Sequence, residues 1–346
     1  MLDSGGIGTY LKNLLLSFQK TPFRFRLIVH PSALQRHPWL SSFDLILGSF
    51  PIYSISEQLQ LPLRIPACDL FWSPHYNVPL LPIRAKKRIV TIHDVYHLAY
   101  YASLKPLEKI YAKTVINRAV KSSDHVITVS QFSKSELLKY TGISDSKISV
   151  IYQGIQQHDF SISVNVPEKF VLFVGNVKPH KNLKKLAQAM KKIEGYSLVV
   201  AGKTEGFLNG EDCSQFSSNI IFLGKVSDAE LAFLYQKASI VALPSFYEGC
   251  GLAPLEAMQW GTPVIVSQAA SLPEMCGDAA CYVNPQDAED ILRGILKVLA
   301  SDEYKNQLIA KGKERSQFFS CDKAASEHIQ LFERFTTPQS HPFRGG

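Results

Sequence analysis

Short runs of three to five apolar residues recur along this chain. Between most of them lie longer stretches whose apolar positions return every three or four residues. The first pattern is that of buried strands and the second that of amphipathic helices. Strands are predicted at residues 25–29, 45–47, 70–72, 88–92, 125–129 and 148–151. A second series follows at 170–174, 198–201, 220–223, 240–243, 263–266 and 281–283. Helical stripes run through Ile7, Tyr10, Leu11, Leu14, Leu15 and Phe18, and through Leu183, Leu186, Ala187, Met190 and Ile193. A third, opened by Pro106, carries Leu107, Ile110, Tyr111, Val115 and Ala119. Ser133 with Glu136 and Ser227 with Glu230 have capping-box spacing, and Gly142 reads as a helix stop. Beyond 283 the pattern is helical until a polar tail from Thr337.

Strands and helices therefore alternate in two series, separated by an irregular polar stretch at 160–169 that contains Pro167. That order predicts two doubly wound α/β domains, at residues 1–163 and 164–320, with a last helix and tail at 321–346. The chain opens abruptly on Met1-Leu-Asp-Ser-Gly-Gly-Ile-Gly-Thr-Tyr10, a glycine-rich turn with no strand before it. Such turns join a strand to a helix, so the expectation is an N-terminal sheet lacking its first strand.

Composition adds modest constraints. The 346 residues are 46% hydrophobic and 19% charged, enough for two cores. The net charge of +7, with basic clusters at 84–88 and 178–192, favours anionic partners such as nucleotides or phospholipid surfaces. No nucleic-acid-binding signature accompanies it, so nucleic acid is not expected as a partner. Cysteines at 68, 213, 250, 276, 281 and 321 form no CxxC pair, which fits reduced thiols in a cytoplasmic protein. No apolar run approaches the ~20 residues of a membrane span, and no secretory leader is recognisable. Asp-x-Asp is absent, and no His/Asp/Glu spacing matches a metal site, so no metal or other cofactor is expected.

Candidate chemistry concentrates in Ser245-Phe-Tyr-Glu-Gly-Cys-Gly-Leu-Ala-Pro-Leu-Glu-Ala-Met258. Glu248 falls on a loop after the strand at 240–243, and Glu256 falls in the helix predicted over 254–260. Ligands of open α/β sheets bind at such strand ends. Paired carboxylates accept hydrogen bonds from vicinal hydroxyls, and helix-start amides attract phosphate. A solvated loop with two surface acids explains this stretch alone equally well. Gly5-Gly6-Ile7-Gly8 fits a phosphate cradle or a plain tight turn, and lacks the GxGxxG spacing of a dinucleotide site. Lys181, after a strand-end glycine, is placed to neutralise a diphosphate. His93, at another strand end, can reach a substrate hydroxyl or serve as a satisfied structural group.

These segments together resemble the family-4 retaining glycosyltransferases of GT-B fold. The likeness rests on Glu248 through Glu256 as an E-x7-E motif, extended to Ser267. It rests also on Gly5-Gly6-Ile-Gly-Thr-Tyr10, Thr91-Ile-His-Asp94, Thr128-Val-Ser-Gln-Phe-Ser133, Val174-Gly-Asn-Val-Lys-Pro-His-Lys-Asn-Leu183 and Ser271-Leu-Pro-Glu-Met-Cys-Gly-Asp278. Within the family it is similar to bacterial mannosyl- and rhamnosyltransferases of cell-surface polysaccharide synthesis. The resemblance implies two Rossmann-like domains facing across a cleft, the first for the acceptor and the second for a nucleotide-diphosphate sugar. Glu256 would hold the ribose hydroxyls and Glu248 the donor sugar. Lys181 and the amides around Gly251 and Leu252 would neutralise the diphosphate. Gly6 would approach the diphosphate from the first domain, His93 would contact the transferred sugar, and Lys203 and Val226 would border the base. The last helix would cross back onto the first domain.

By the same resemblance the reaction retains anomeric configuration without a metal. The donor is GDP-, UDP- or dTDP-linked, and the acceptor is a glycan or a polyprenyl-linked saccharide. Independently of the resemblance, the basic charge of the 84–88 cluster and Lys12 suggests that they rest on an anionic membrane at the inner face of the plasma membrane. Many relatives carry Arg where Asn176 stands, so Lys181 would bear more of the diphosphate charge, aided by a partly charged His180. Two other readings stay open at this point. One is a GT-B nucleotide-sugar 2-epimerase; the other is a catalytically inactive nucleotide-sugar-binding protein.

Overall fold

The computed structural model describes residues 1–2, 5–101, 104, 106–156, 162–203 and 219–336. Part of the predicted linker, Cys213 and the polar tail lie outside them, as do the side chains of Leu107 and Tyr111. In chain order the elements begin with α1 (Gly5–Phe18), β1 (Arg26–Val29), α2 (Pro31–Arg36), β2 (Asp44–Leu47), α3 (Ile55–Arg64) and β3 (Cys68–Ser73). Next come β4 (Ala85–Thr91), α4 (Tyr96–Ala99), α5 (Pro106–Ser122), β5 (His125–Thr128), α6 (Gln131–Thr141) and β6 (Ile148–Val150). The second series is β7 (Phe170–Val174), α7 (Leu183–Met190), β8 (Ser197–Ala201), β9 (Ile220–Gly224), α8 (Asp228–Lys237), β10 (Ile240–Leu243) and α9 (Leu252–Gln259). It ends with β11 (Val264–Ser267), α10 (Leu272–Cys276), β12 (Cys281–Val283), α11 (Ala288–Ala300), α12 (Asp302–Ser316) and α13 (Cys321–Thr336). Every predicted strand is present within two or three residues of its expected ends.

The chain divides into two compact units. Met1–Val129, Lys134–Ile151 and Asp322–Gly346 make the first; Ser130–Ser133 and Tyr152–Cys321 make the second. In the first unit the expected single sheet is two. β1 and β2 pair as one parallel sheet, and β3-β4-β5-β6 form another. Tyr10, Leu14, Leu15 and Phe18 of α1 pack with partly buried Leu27 and Val29 of the small sheet and with Ile89 and Ile127 of the large one. Ala324, Ala325, Leu331 and Phe332 of α13 join that core, so the last helix belongs to the first unit.

Four local readings need correction. The helix predicted from Ile7 begins at Gly5, which takes all three glycines of the expected turn, Gly5, Gly6 and Gly8, into its first turn. Ser130, not Ser133, caps α6, its Oγ accepting from the Ser133 amide at 3.0 Å. Ile110 stands 64% exposed on α5, off the face that buries Val115 and Ala119. The pattern did not predict α3, because Pro62 lies inside it and its apolar stripe faces outward.

A directional hydrogen-bond chain crosses the first core. The His328 Nδ1 lies 2.7 Å from the Ala324 carbonyl, which can only accept, so Nδ1 carries the proton and Nε2 is left to accept. Tyr10 therefore donates to His328 Nε2 at 2.8 Å, Thr91 donates to Tyr10, and Trp72 Nε1 donates to Thr91 at 3.0 Å. Burial drives the His328 pKa down to about 4 and that of His75 to about 3. Both rings stay neutral when folded, whereas an unfolded histidine gains its proton near pH ~6.5. The unfolded state then binds more protons as pH falls, and stability declines from about pH 6.5 toward 4. Each histidine is expected to cost about 2 kcal/mol between pH 7 and pH 5. Hydrogen exchange of the α1 amides at the two pH values measures this, and His328→Gln should remove about half of the drop that the two rings cause.

Candidate active site

The second unit holds one six-stranded parallel sheet in the order β12-β11-β10-β7-β8-β9. From β7 the chain moves one way to β8 and β9, and from β10 it moves the other way to β11 and β12. The carboxyl ends of β7 and β10 are thus the switch point, where the connections diverge and leave a crevice. The loops beyond these two strands carry Lys181 and Glu248. Their side chains meet there: the Lys181 Nζ donates to both Glu248 carboxylate oxygens at 2.7 Å. The lysine side chain is 20% exposed and the glutamate 8%, so this ion pair is largely withdrawn from water.

Neighbouring groups fix that pair. Ser245 Oγ donates to Glu248 Oε1 at 2.7 Å, and Ser271 Oγ donates to the Glu248 carbonyl at 2.9 Å. Asn182 sits in the left-handed region, φ 61°, and its Nδ2 donates to the Pro244 and Pro285 carbonyls. The Phe246 amide donates to the His180 carbonyl at 2.8 Å, which ties the two loops together. Beside them, Gly202 ends β8 with φ +151°; a Cβ there would lie 2.0 Å from the Gly175 carbonyl oxygen. That close approach lets the Lys203 carbonyl accept from the Val177 amide at 2.8 Å, while Lys203 itself is exposed. Val226 follows the end of β9 and is partly exposed. Lys181, Lys203, Val226 and Glu248 thus arise beyond four adjacent strands.

α9 starts two residues earlier than the sequence pattern predicts, with Leu252 as its first residue and Gly251 as its N-cap at φ 75°. That left-handed conformation favours glycine, and a Cβ on Gly251 would press on Leu272 Cδ2 at 2.6 Å. The helix opens immediately after the Glu248 loop, aiming its positive end toward the crevice side of the sheet. Glu256, on the second turn, is partly buried and accepts from Tyr235 Oη at 2.7 Å. Burial raises its pKa, with the Tyr235 bond working against that rise. Tyr235 is the residue that orients it.

Gly6 and His93 belong to the first unit. Among the described residues, no atom beyond its chain neighbours and its own helix backbone lies within 4 Å of a Cβ built on Gly6, so those surroundings do not demand glycine there. His93 is buried just past β4, packed edge-on against Tyr10 at 4.7 Å between ring centroids. Its Nε2 donates to the Pro74 carbonyl at 3.1 Å, and burial lowers its pKa, so the ring is neutral with its proton on Nε2. Among the described residues no group of three or more His, Cys, Asp or Glu is placed to hold a metal ion. Nor is any helix there long and apolar enough to cross a membrane.

Sequence reasoning passed over Ser245, Asn182, Tyr235, Ser271 and Glu274. Glu274 accepts from the amides of Gln131 and Phe132, at 2.7 and 2.9 Å, and caps the start of α6. Asn182 alone left a signal, as an asparagine at the end of a strand-to-helix loop, a residue type that tolerates the left-handed region. Ser245 acts within its own loop, on Glu248, whereas Tyr235, Ser271 and Glu274 act through pairings more than twenty positions apart in sequence.

Residues 4–158 match the family described as Glycosyltransferase Family 4, and residues 155–315 match Glycosyl transferases group 1. The chain belongs to these glycosyltransferases. The O-antigen chain mannosyltransferase RfbU of Salmonella typhimurium is 33% identical over 242 residues, 68% of this chain and 66% of that protein. Among solved structures, a sucrose-phosphate synthase of Thermosynechococcus elongatus aligns with a TM-score of 0.77 at 20% identity, covering 96% of this chain and 94% of that one. Anabaena HepE, solved with UDP and glucose, aligns with a TM-score of 0.73 at 16% identity, covering 95% of this chain and 96% of its own. The fold is that of the GT-B glycosyltransferases.

Proposed function

We propose that this chain transfers a hexose, mannose or a close relative, from a nucleotide-diphosphate sugar to a glycan or lipid-linked acceptor in cell-surface polysaccharide synthesis. Anomeric configuration is retained and no metal takes part. The observation that carries the reading is the Lys181–Glu248 pair at the switch point, with the α9 N-terminus following in the same loop. The similarity to an O-antigen mannosyltransferase supports the choice of sugar and polymer.

In this reading the donor enters along the carboxyl ends of β10, β7, β8 and β9. Glu256, oriented by Tyr235, accepts from the ribose hydroxyls, and Lys203 and Val226 border the base. The diphosphate takes Lys181 from Glu248 and meets the helix start at Gly251 and Leu252. Released, the Glu248 carboxylate accepts from hydroxyls of the transferred sugar. Fixed positive charge of this kind stabilises the leaving diphosphate as its bond to the anomeric carbon breaks. The acceptor oxygen bonds to that carbon on the same face, and its proton passes to the leaving phosphate oxygen. The roles given to Gly6 and His93 rest on the family resemblance. The first unit serves the acceptor, which an anionic membrane surface would present.

A thermal-shift panel of GDP-, UDP- and dTDP-sugars with purified protein identifies the donor, and stabilisation by one of them is expected. Transfer should then persist in EDTA and give product with the donor's anomeric configuration. An inverted product, or loss of activity in EDTA restored by a divalent cation, would overturn the reading. A 2-epimerase would convert the donor without acceptor, and an inactive binder would leave it intact.

A further inference from the structure

α3 is built inside out. Its buried residues are Glu57 and Pro62, while Ile55, Leu59 and Leu63 stand 82%, 56% and 82% exposed. These three recur every four residues and form one continuous stripe. The helix is nevertheless well anchored. Ser54 Oγ caps it by accepting from the Glu57 amide, and Glu57 Oε2 accepts from the Tyr53 amide and from Asn77 Nδ2, at 2.6 and 2.7 Å. Satisfied buried polar groups thus hold α3 with Ile55, Leu59 and Leu63 turned to solvent.

The stripe does not stand alone. Arg64 Nη1 donates to the carbonyl of Leu47, itself 49% exposed. On another side Gln58 Oε1 accepts from the Leu80 amide, and Leu80 and Leu81 are 37% and 45% exposed. Of the thirteen large hydrophobic residues exposed among the described residues, eight lie from Leu47 to Leu81. Concentration on that scale marks an interaction surface, since scattered exposed apolar residues are ordinary. Basic groups border it: Arg118 Nη2 donates to the Leu80 carbonyl, exposed Arg84 lies three residues past Leu81, and Arg64 closes α3. The charge is lopsided along the chain. Residues 1–150 hold eighteen Lys and Arg against nine Asp and Glu, whereas residues 151–346 hold nineteen against twenty-one.

We propose that the exposed α3 face docks on an anionic lipid bilayer, with Ile55, Leu59 and Leu63 seated at headgroup depth and Arg64, Arg84 and Arg118 against lipid phosphates. An apolar stripe or a basic patch alone binds membranes weakly, and here Arg64 stands on the helix that carries the stripe while Arg118 holds the adjoining Leu80. Lys12 is only partly exposed on α1, so the surface does not depend on it. The inference deepens the lipid-linked-acceptor reading and rests on it for its biological use. Its test needs neither donor nor acceptor, so either can fail without the other.

The test is flotation of the purified full chain with vesicles of phosphatidylcholine alone or mixed with phosphatidylglycerol. Binding is expected to the mixed vesicles and to weaken as salt rises. The triple variant Ile55→Gln/Leu59→Gln/Leu63→Gln should lose about tenfold or more in partitioning, with unchanged unfolding, since these side chains lie outside the core. Arg64→Gln/Arg84→Gln should weaken binding and flatten its salt dependence. No binding to mixed vesicles, binding indifferent to salt, or unchanged partitioning of the triple variant would overturn the proposal. So would wild-type dimerisation that the triple variant abolishes, which would assign the stripe to a second copy of the chain.

Discussion

Lys181→Ala lowers kcat for sugar transfer by about a hundred- to a thousandfold, the range for removing one fixed stabiliser of developing negative charge. Steady-state transfer with the donor found in the thermal-shift panel measures it. The substitution also strands Glu248, whose side chain is 8% exposed, without its cation. Breaking a buried pair from one side costs about 3–5 kcal/mol, so the variant should unfold at lower denaturant as well. The double variant Lys181→Met/Glu248→Gln separates the two effects. With neither charge present, stability should recover substantially while transfer stays lost. Unchanged kinetics in Lys181→Ala would remove the lysine from the diphosphate site.

Glu248→Gln should act in opposite directions on two measurements. Glu248 and a diphosphate compete for the same ammonium group, because the Lys181 Nζ already donates to both carboxylate oxygens. Neutralising the glutamate frees the lysine, and affinity for the free nucleoside diphosphate should rise about tenfold, equivalent to ~1.4 kcal/mol. Turnover should fall about a hundredfold, since the transferred sugar loses an ionised acceptor whose hydrogen bonds are roughly twice as strong as neutral ones. Glu256→Ala provides the contrast, chiefly raising KM for the donor because its proposed contact is to ribose. Isothermal titration with the nucleotide and transfer kinetics together decide. Weaker nucleotide binding by Glu248→Gln would end the competition argument.

Much of the second unit is legible in the sequence. Its strands are continuous apolar runs because both faces of a parallel sheet are buried, and that signal is local. The loops after them could be ordered along the chain, so Lys181, Lys203, Val226 and Glu248 were placed at strand ends. That Lys181 and Glu248 share a hydrogen bond was not legible. It depends on β10 returning beside β7, a pairing between strands some seventy residues apart. Tyr235 was unreadable for the same reason, since its hydroxyl looks like any other on α8 until α9 packs beside it. In the first unit, periodicity misplaced Ile110 and overlooked α3. Pattern rules assume that a helix hides its leucines, and α3 hides a glutamate. Ser54-Ile-Ser-Glu57 was nonetheless a capping signature standing in plain view.

The placement of α13 has a consequence for the order in which the protein comes into being. The first unit's core needs Leu331 and Phe332, and the Tyr10 hydroxyl waits for His328 to accept its hydrogen bond, yet 170 residues of the second unit intervene between Ile151 and Asp322. On a ribosome adding ~5–20 residues per second, roughly 10–30 seconds pass with that core open on one side. The second unit is nearly continuous in sequence and can close first. The half of the molecule that is synthesised first is therefore the half that finishes last, and until the final helix arrives its aromatic interior is a surface for chaperones.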